Sequence, residues 1–122
     1  MKKILENSPT IDIHVVGEGK NSIKLSDILY VESQMHCVFI HTNNGIIKSN
    51  YGLAKIKNMI TEEYFYRCHK SYIVNINEIC FYKGFVIHMS NGDNVYISRR
   101  RLSEFKKIYF RQKTEITILK KL

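Results

Sequence analysis

Three short segments of this chain gather side chains able to hold an anion or read a nucleobase edge. They are Ser33-Gln34-Met35-His36, Arg67-Cys68-His69-Lys70-Ser71 and Ser98-Arg99-Arg100-Arg101. The arginine fork can hydrogen-bond phosphate or guanine in bidentate fashion, and lysine supplies a mobile point charge. Serine, glutamine and histidine donate at short range to phosphate oxygens or base edges. A helix starting near Arg99 would add free backbone N–H groups. Plainer roles stay open beside these. Arg67 can pair with Glu62 or Glu63, His69 can be a satisfied core residue, and the arginine run can be a solvated face.

Catalytic arrangements are poorly supported. Gly17-Glu18-Gly19-Lys20-Asn21-Ser22 lacks the spacing of a phosphate loop, places Asn21 after the lysine, and leads into an alternating strand pattern. It reads as a hairpin turn. Cys68 and His69 are adjacent on a predicted strand and point to opposite faces, so they cannot readily share a proton. Cys68 reads as structural. His14, His36, His41, His69 and His88 form no HxH or HxxxH pair, and the three aspartates, Asp12, Asp27 and Asp93, are far apart. The three cysteines, Cys37, Cys68 and Cys80, show neither CxxC spacing nor the even count of a disulfide framework. The reading is a non-enzymatic chain that calls for no metal, cofactor or small-molecule substrate.

The elements that must position these segments follow from periodicity. Thr10–Val16 alternates and turns at Gly17-Glu18-Gly19; Ile23 and Leu25 resume the pattern. Ile28–Val31 is a short apolar strand, and Glu32–His36 reads as a polar loop. Asn43-Asn44-Gly45 joins two apolar runs as a hairpin. Leu53, Ile56 and Ile60 recur at helical spacing over Gly52–Ile60. Phe65–Val74, Ile79–Tyr82, Phe85–Met89 and Val95–Ser98 read as strands. Turns are expected at Asn75-Ile76-Asn77, Lys83-Gly84 and Ser90-Asn91-Gly92-Asp93. Ser98 is the expected N-cap of a second helix that buries Leu102, Phe105 and Ile108, and Thr114–Leu119 reads as one more strand.

Composition agrees. Isoleucine and valine number 25 while leucine and alanine total 8, the bias of a mostly β domain with about eight or nine strands and two short helices. With 122 residues, 44% of them hydrophobic, the chain holds one domain with a real core. No apolar run is long enough to span a membrane and no signal-peptide core follows Met1, so a cytoplasmic location is expected. The net charge of +8 is uneven: residues 99–122 hold nine basic and two acidic side chains, against ten and nine in residues 1–98. That asymmetry points to a polyanion partner.

Asp27-Ile28-Leu29-Tyr30-Val31-Glu32-Ser33 resembles the opening strand signature of the LytTR family of bacterial DNA-binding domains. Phe65–Asn75, FYRCHKSYIVN, followed by Ile79, is similar to that family's most diagnostic motif, and Val95–Leu102, VYISRRRL, resembles its last strand and the start of its final helix. The resemblance covers roughly residues 11–110, with the three motifs in order. It implies an elongated stack of small antiparallel sheets, a β-β-β arrangement that inserts loops into successive major grooves of bent duplex DNA. Carried over by position, the contacts would be His36, Arg67, His69, Lys70, Ser71 and Arg100, with Ser33, Gln34, Arg99 and Arg101 as phosphate-contacting neighbours.

The resemblance further implies a transcription regulator whose copies assemble as a tandem homodimer on direct repeats. Its signal would come from an upstream receiver domain or a regulatory membrane protein. Residues 1–10 read as a short extension, 11–112 as the DNA-binding domain and 113–122 as a basic tail. The ten residues before Ile11 are too few for a receiver, so the chain is either a stand-alone regulator or an output domain cut from a longer one. The alternative is a small basic β domain that binds RNA, single-stranded nucleic acid or an acidic protein partner. Such a binder would stack bases on exposed aromatics interleaved with basic residues, and Tyr64, Phe65, Tyr66 and Tyr72 keep that reading open.

Overall fold

Alternating β-branched residues form the first hairpin, whose inward set Ile11, Ile13 and Val15 is buried. The computed structural model describes residues 9–121. The expected extension, residues 1–10, lies outside the described residues apart from Pro9 and Thr10, and Thr10 already belongs to the first strand. The chain divides after Ile60 into two compact units.

The first unit contains β1 (Thr10–Val15), β2 (Gly19–Lys24), β3 (Ile28–Gln34), β4 (Cys37–Thr42), β5 (Gly45–Ser49) and the helix α1 (Leu53–Met59). Its strands lie in the order β2-β1-β5-β4-β3, with antiparallel pairing throughout. The glycine-bearing segment after β1 is a tight turn, with Glu18 N–H donating to Val15 O at 3.0 Å and φ of +85° at Gly17. That conformation suits glycine, and the phosphate-loop alternative falls with it. Leu53 and Ile56 turn the buried face of α1 inward, against β3. The Ser49 hydroxyl, fully buried, donates to His14 O at 2.7 Å and accepts from Tyr51 N–H at 3.1 Å.

The second unit contains β6 (Phe65–His69), β7 (Tyr72–Asn75), β8 (Ile79–Lys83), β9 (Val86–Met89), β10 (Asn94–Tyr96) and the helix α2 (Leu102–Lys121). β6 and β7 form an antiparallel hairpin; β10-β9-β8 form a three-stranded antiparallel sheet. Asn75 Oδ1 accepts from Asn77 N–H at 3.0 Å and caps the 3-10 turn at Ile76–Glu78, where a turn was expected. Phe105 of α2 is fully buried, 5.0 Å from the Tyr82 ring edge-on and 5.6 Å from Tyr109.

The described residues are mostly strand in antiparallel sheets with two helices, the fold class expected from the Ile/Val bias. Four sequence readings need correction. Phe65–Val74 is two strands, because Lys70-Ser71 turns the chain. Glu32, Ser33 and Gln34 belong to β3, since the ladder with β4 continues to Gln34↔Cys37 and leaves only Met35-His36 in the turn. Thr114–Leu119 is helical and α2 is long. Past a formed first turn, each further helical residue closes its own backbone hydrogen bond, whereas a strand needs a partner edge. Finally, Leu102 and Ile108 are half-buried, leaving Phe105 as the fully enclosed anchor of the predicted face.

Candidate nucleic-acid interface

Two turns of the second unit carry most of the predicted contacts. In the β6–β7 hairpin, pairing slips between Tyr66 and His69, and His69↔Tyr72 closes on the Lys70-Ser71 turn. The turn is held from inside. Arg67 Nη2 donates to Lys70 O at 2.7 Å, and Ser71 N–H donates to His69 Nδ1 at 3.0 Å. The alternative pairing of Arg67 with Glu62 or Glu63 is absent among the described residues; Glu63 instead lies 4.0 Å from Arg111. Arg67 is half-buried and clamps the turn, while Lys70 at the tip is exposed.

The second turn is the 3-10 segment Arg99–Arg101, which leads straight into α2. Ser98 N–H donates to Cys68 O at 2.9 Å, and Arg101 Nη1 donates to Arg67 O at 3.2 Å. These bonds tie the arginine turn to the β6–β7 hairpin. Arg101 is therefore half-buried and serves as a brace. Arg99 lies over the Phe85 ring, 5.3 Å from its centroid, with its outer side exposed. Arg100 is exposed and makes no hydrogen bond or ion pair with the described residues. Ser98 occupies the predicted N-cap position, but its hydroxyl makes no capping bond. Helix N-termini favour acidic groups, so the Arg99–Arg101 run sets like charge beside the positive end of α2, where Glu104 in the first turn is the one acidic group.

Cys68 is buried between these elements, and burial pushes its thiol pKa up to about 12, which makes it a poor nucleophile. His69 behaves differently. Burial first, then the charges of Lys70 and Arg101, hold its pKa below the ordinary histidine value. With Nδ1 accepting from Ser71 N–H, the neutral ring carries its proton on Nε2, which is then its one donor.

A pH effect follows. Above the unfolded-state value both states are neutral and His69 contributes nothing. As pH falls through that value, the unfolded chain takes up a proton that the folded chain resists, so stability declines until the folded-state value is reached. Lowering pH from about 7 to about 5 should therefore depress the melting temperature, and His69→Asn should show a smaller fall. Equal falls in the two proteins would show that His69 is not responsible.

In the first unit the β3–β4 turn carries His36, exposed, beside Gln34 at the strand end. Ser33 and Gln34 occupy successive strand positions and face opposite ways, Ser33 on the Val31 side. They cannot serve one surface together. The sequence reading passed over Met35, which is 98% exposed with φ of +55°. The signal was an apolar residue inside an otherwise polar run.

The LytTr DNA-binding domain family matches residues 19–110 of the chain. This chain belongs to the LytTR family. Among curated relatives, the transcriptional regulatory protein YpdB of Escherichia coli (strain K12) is 24% identical over 90 residues, covering 69% of this chain and 37% of YpdB. YpdB of Shigella flexneri aligns to the same extent. The chain thus spans little more than a third of these relatives. A solved LytTr DNA-binding domain of a putative methyl-accepting/DNA response regulator from Bacillus cereus superposes with a TM-score of 0.68 at 23% identity. That match covers 84% of this chain and 97% of the other, and it supports the fold. Within the LytTR domain, both tied turns of the second unit and the β3–β4 turn fall inside the matched residues. No group of three metal-ligating side chains occurs among the described residues, and no described helix is long and apolar enough to cross a membrane.

Proposed function

We propose that this LytTR domain binds duplex DNA sequence-specifically and regulates transcription, with turns instead of a recognition helix entering successive major grooves. The observation that carries the reading is the pair of exposed cations Lys70 and Arg100, on two turns braced by Ser98 N–H to Cys68 O and Arg101 to Arg67 O. Bracing holds the turns in place before DNA binds and so lowers the ordering cost of binding. Arg100 reads a base edge, Lys70 reads a base or meets phosphate, His69 donates from Nε2, and Ser71 supports the turn. Arg99 neutralises phosphate, while Arg67 and Arg101 position the turns. His36 and Gln34 contact a further groove segment, with Ser33 behind them.

The relatives' description as transcriptional regulators supports the regulatory role. Two copies sit in tandem on direct repeats, joined head-to-tail, and the input comes from a receiver domain or a regulatory membrane protein. The single-strand or RNA reading is weaker, since Phe65 and Tyr66 are buried and the Tyr66 hydroxyl donates to Glu104 Oε1 at 2.7 Å. They offer no stacking platform.

Arg100→Ala tests the reading. The loss of affinity for a duplex site selected from a random library should be about 1–3 kcal/mol, with relaxed preference at one base pair. The melting temperature should hold, because Arg100 has no partner among the described residues. A folded variant that binds the selected site as tightly as wild type would remove Arg100 from the interface.

A further inference from the structure

We infer that Met35 is a base-reading residue whose thioether packs on the C5-methyl group of one thymine in the major groove. This rests on the duplex-DNA reading above and adds a specificity element to it. Met35 is the first of the two residues that turn β3 into β4, between Gln34 and Cys37, which pair with each other. Its φ of +55° is the conformation in which hairpin turns of this length use glycine, and no other described non-glycine residue has a positive φ. Its side chain is 98% exposed, against 71% for Phe110, the next most exposed large apolar residue. A turn selected for stability alone would hold glycine or asparagine at this position. Met35 carries both a strained backbone and a fully hydrated apolar side chain, so neither local conformation nor packing accounts for the choice.

The flanking residues narrow the partner. Gln34 and His36 are both exposed polar groups with donors and acceptors. Glutamine matches adenine N6 and N7 in the major groove, and the apolar feature displayed there is the methyl of thymine. An unbranched thioether with three rotatable bonds offers reach and a soft surface, and it demands no hydrogen bond. A Gln-Met-His turn therefore suits a stretch containing an A·T pair.

The test begins with the duplex selected from a random library. Each thymine is replaced in turn by deoxyuridine, which removes only the methyl and leaves the hydrogen-bonding edge intact. Affinities are measured for wild type, Met35→Gly and Met35→Asn. At one thymine the replacement should weaken wild type roughly three- to fivefold, the effect of losing one buried methyl, and leave both variants unchanged. Glycine and asparagine tolerate the positive φ, so both variants should melt no lower than wild type. A wild type insensitive at every thymine, or variants equally sensitive at the same thymine, would overturn the role of Met35 while leaving specific duplex binding standing. If no duplex is selected over random sequence, the DNA reading itself fails and takes this inference with it.

Discussion

Between about 50 and 200 mM salt, the affinity of the domain for its selected duplex should fall about a thousandfold. The expectation follows from charge placement. Nine basic residues against two acidic ones lie in residues 99–122, and Lys70 adds an exposed cation on the β6–β7 turn. Neutralising about five or six phosphates releases as many condensed counterions, for a log–log slope of roughly −5 on duplex DNA. On single strands the same contacts give about −0.7 each, so the slope also weighs against the alternative reading. Lys70→Ala should make the duplex slope shallower by about one if Lys70 meets phosphate, and should leave it unchanged if Lys70 reads a base. A wild-type slope near −1 would mean that the basic segments stay off the duplex, and the proposed binding mode would be wrong.

Phe105→Ala should destabilise the protein by about 3–5 kcal/mol, measured as a shift in the urea midpoint. Phe105 is fully buried and meets Tyr66 at 6.3 Å, Tyr82 at 5.0 Å and Tyr109 at 5.6 Å. Removing the ring leaves a cavity bounded by three aromatic side chains that are anchored on separate elements and cannot all collapse inward. The same contact seats the first turns of α2, and so the Arg99–Arg101 turn that precedes them. DNA affinity should therefore fall along with stability, even though Phe105 itself is enclosed. Against a typical total of about 5–15 kcal/mol, a loss of this size makes the fold marginal. A loss under about 1 kcal/mol would show that α2 is held by its other contacts, such as Lys113 Nζ to Ile79 O at 3.0 Å.

Strand content, most of the turns (though not Lys70-Ser71) and α1 were legible in the sequence, because each rests on interactions between residues near in the chain. Alternation puts Ile11, Ile13 and Val15 on one face whatever lies beyond it. Asn75 needs only its neighbour Asn77 to form its turn, and Leu53 and Ile56 need only helical spacing to share a side. The segments that bear the site were legible for the same reason, as polar and basic breaks in apolar stretches. Three outcomes depended on partners distant in sequence. Ser33 and Gln34 became strand residues because the β4 ladder runs on past the end of the apolar run. Thr114–Leu119 became helix because no strand edge outcompeted a helix already begun at Leu102. Arg101, alike in type to Arg99 and Arg100, became a brace because its guanidinium reaches Arg67 O, far away in the chain, whereas Arg67 clamps its own turn through Lys70 O. A side chain's type sets what it can bond, but which of four arginines stays free for a partner depends on which backbone acceptors the fold brings within about 3 Å of it.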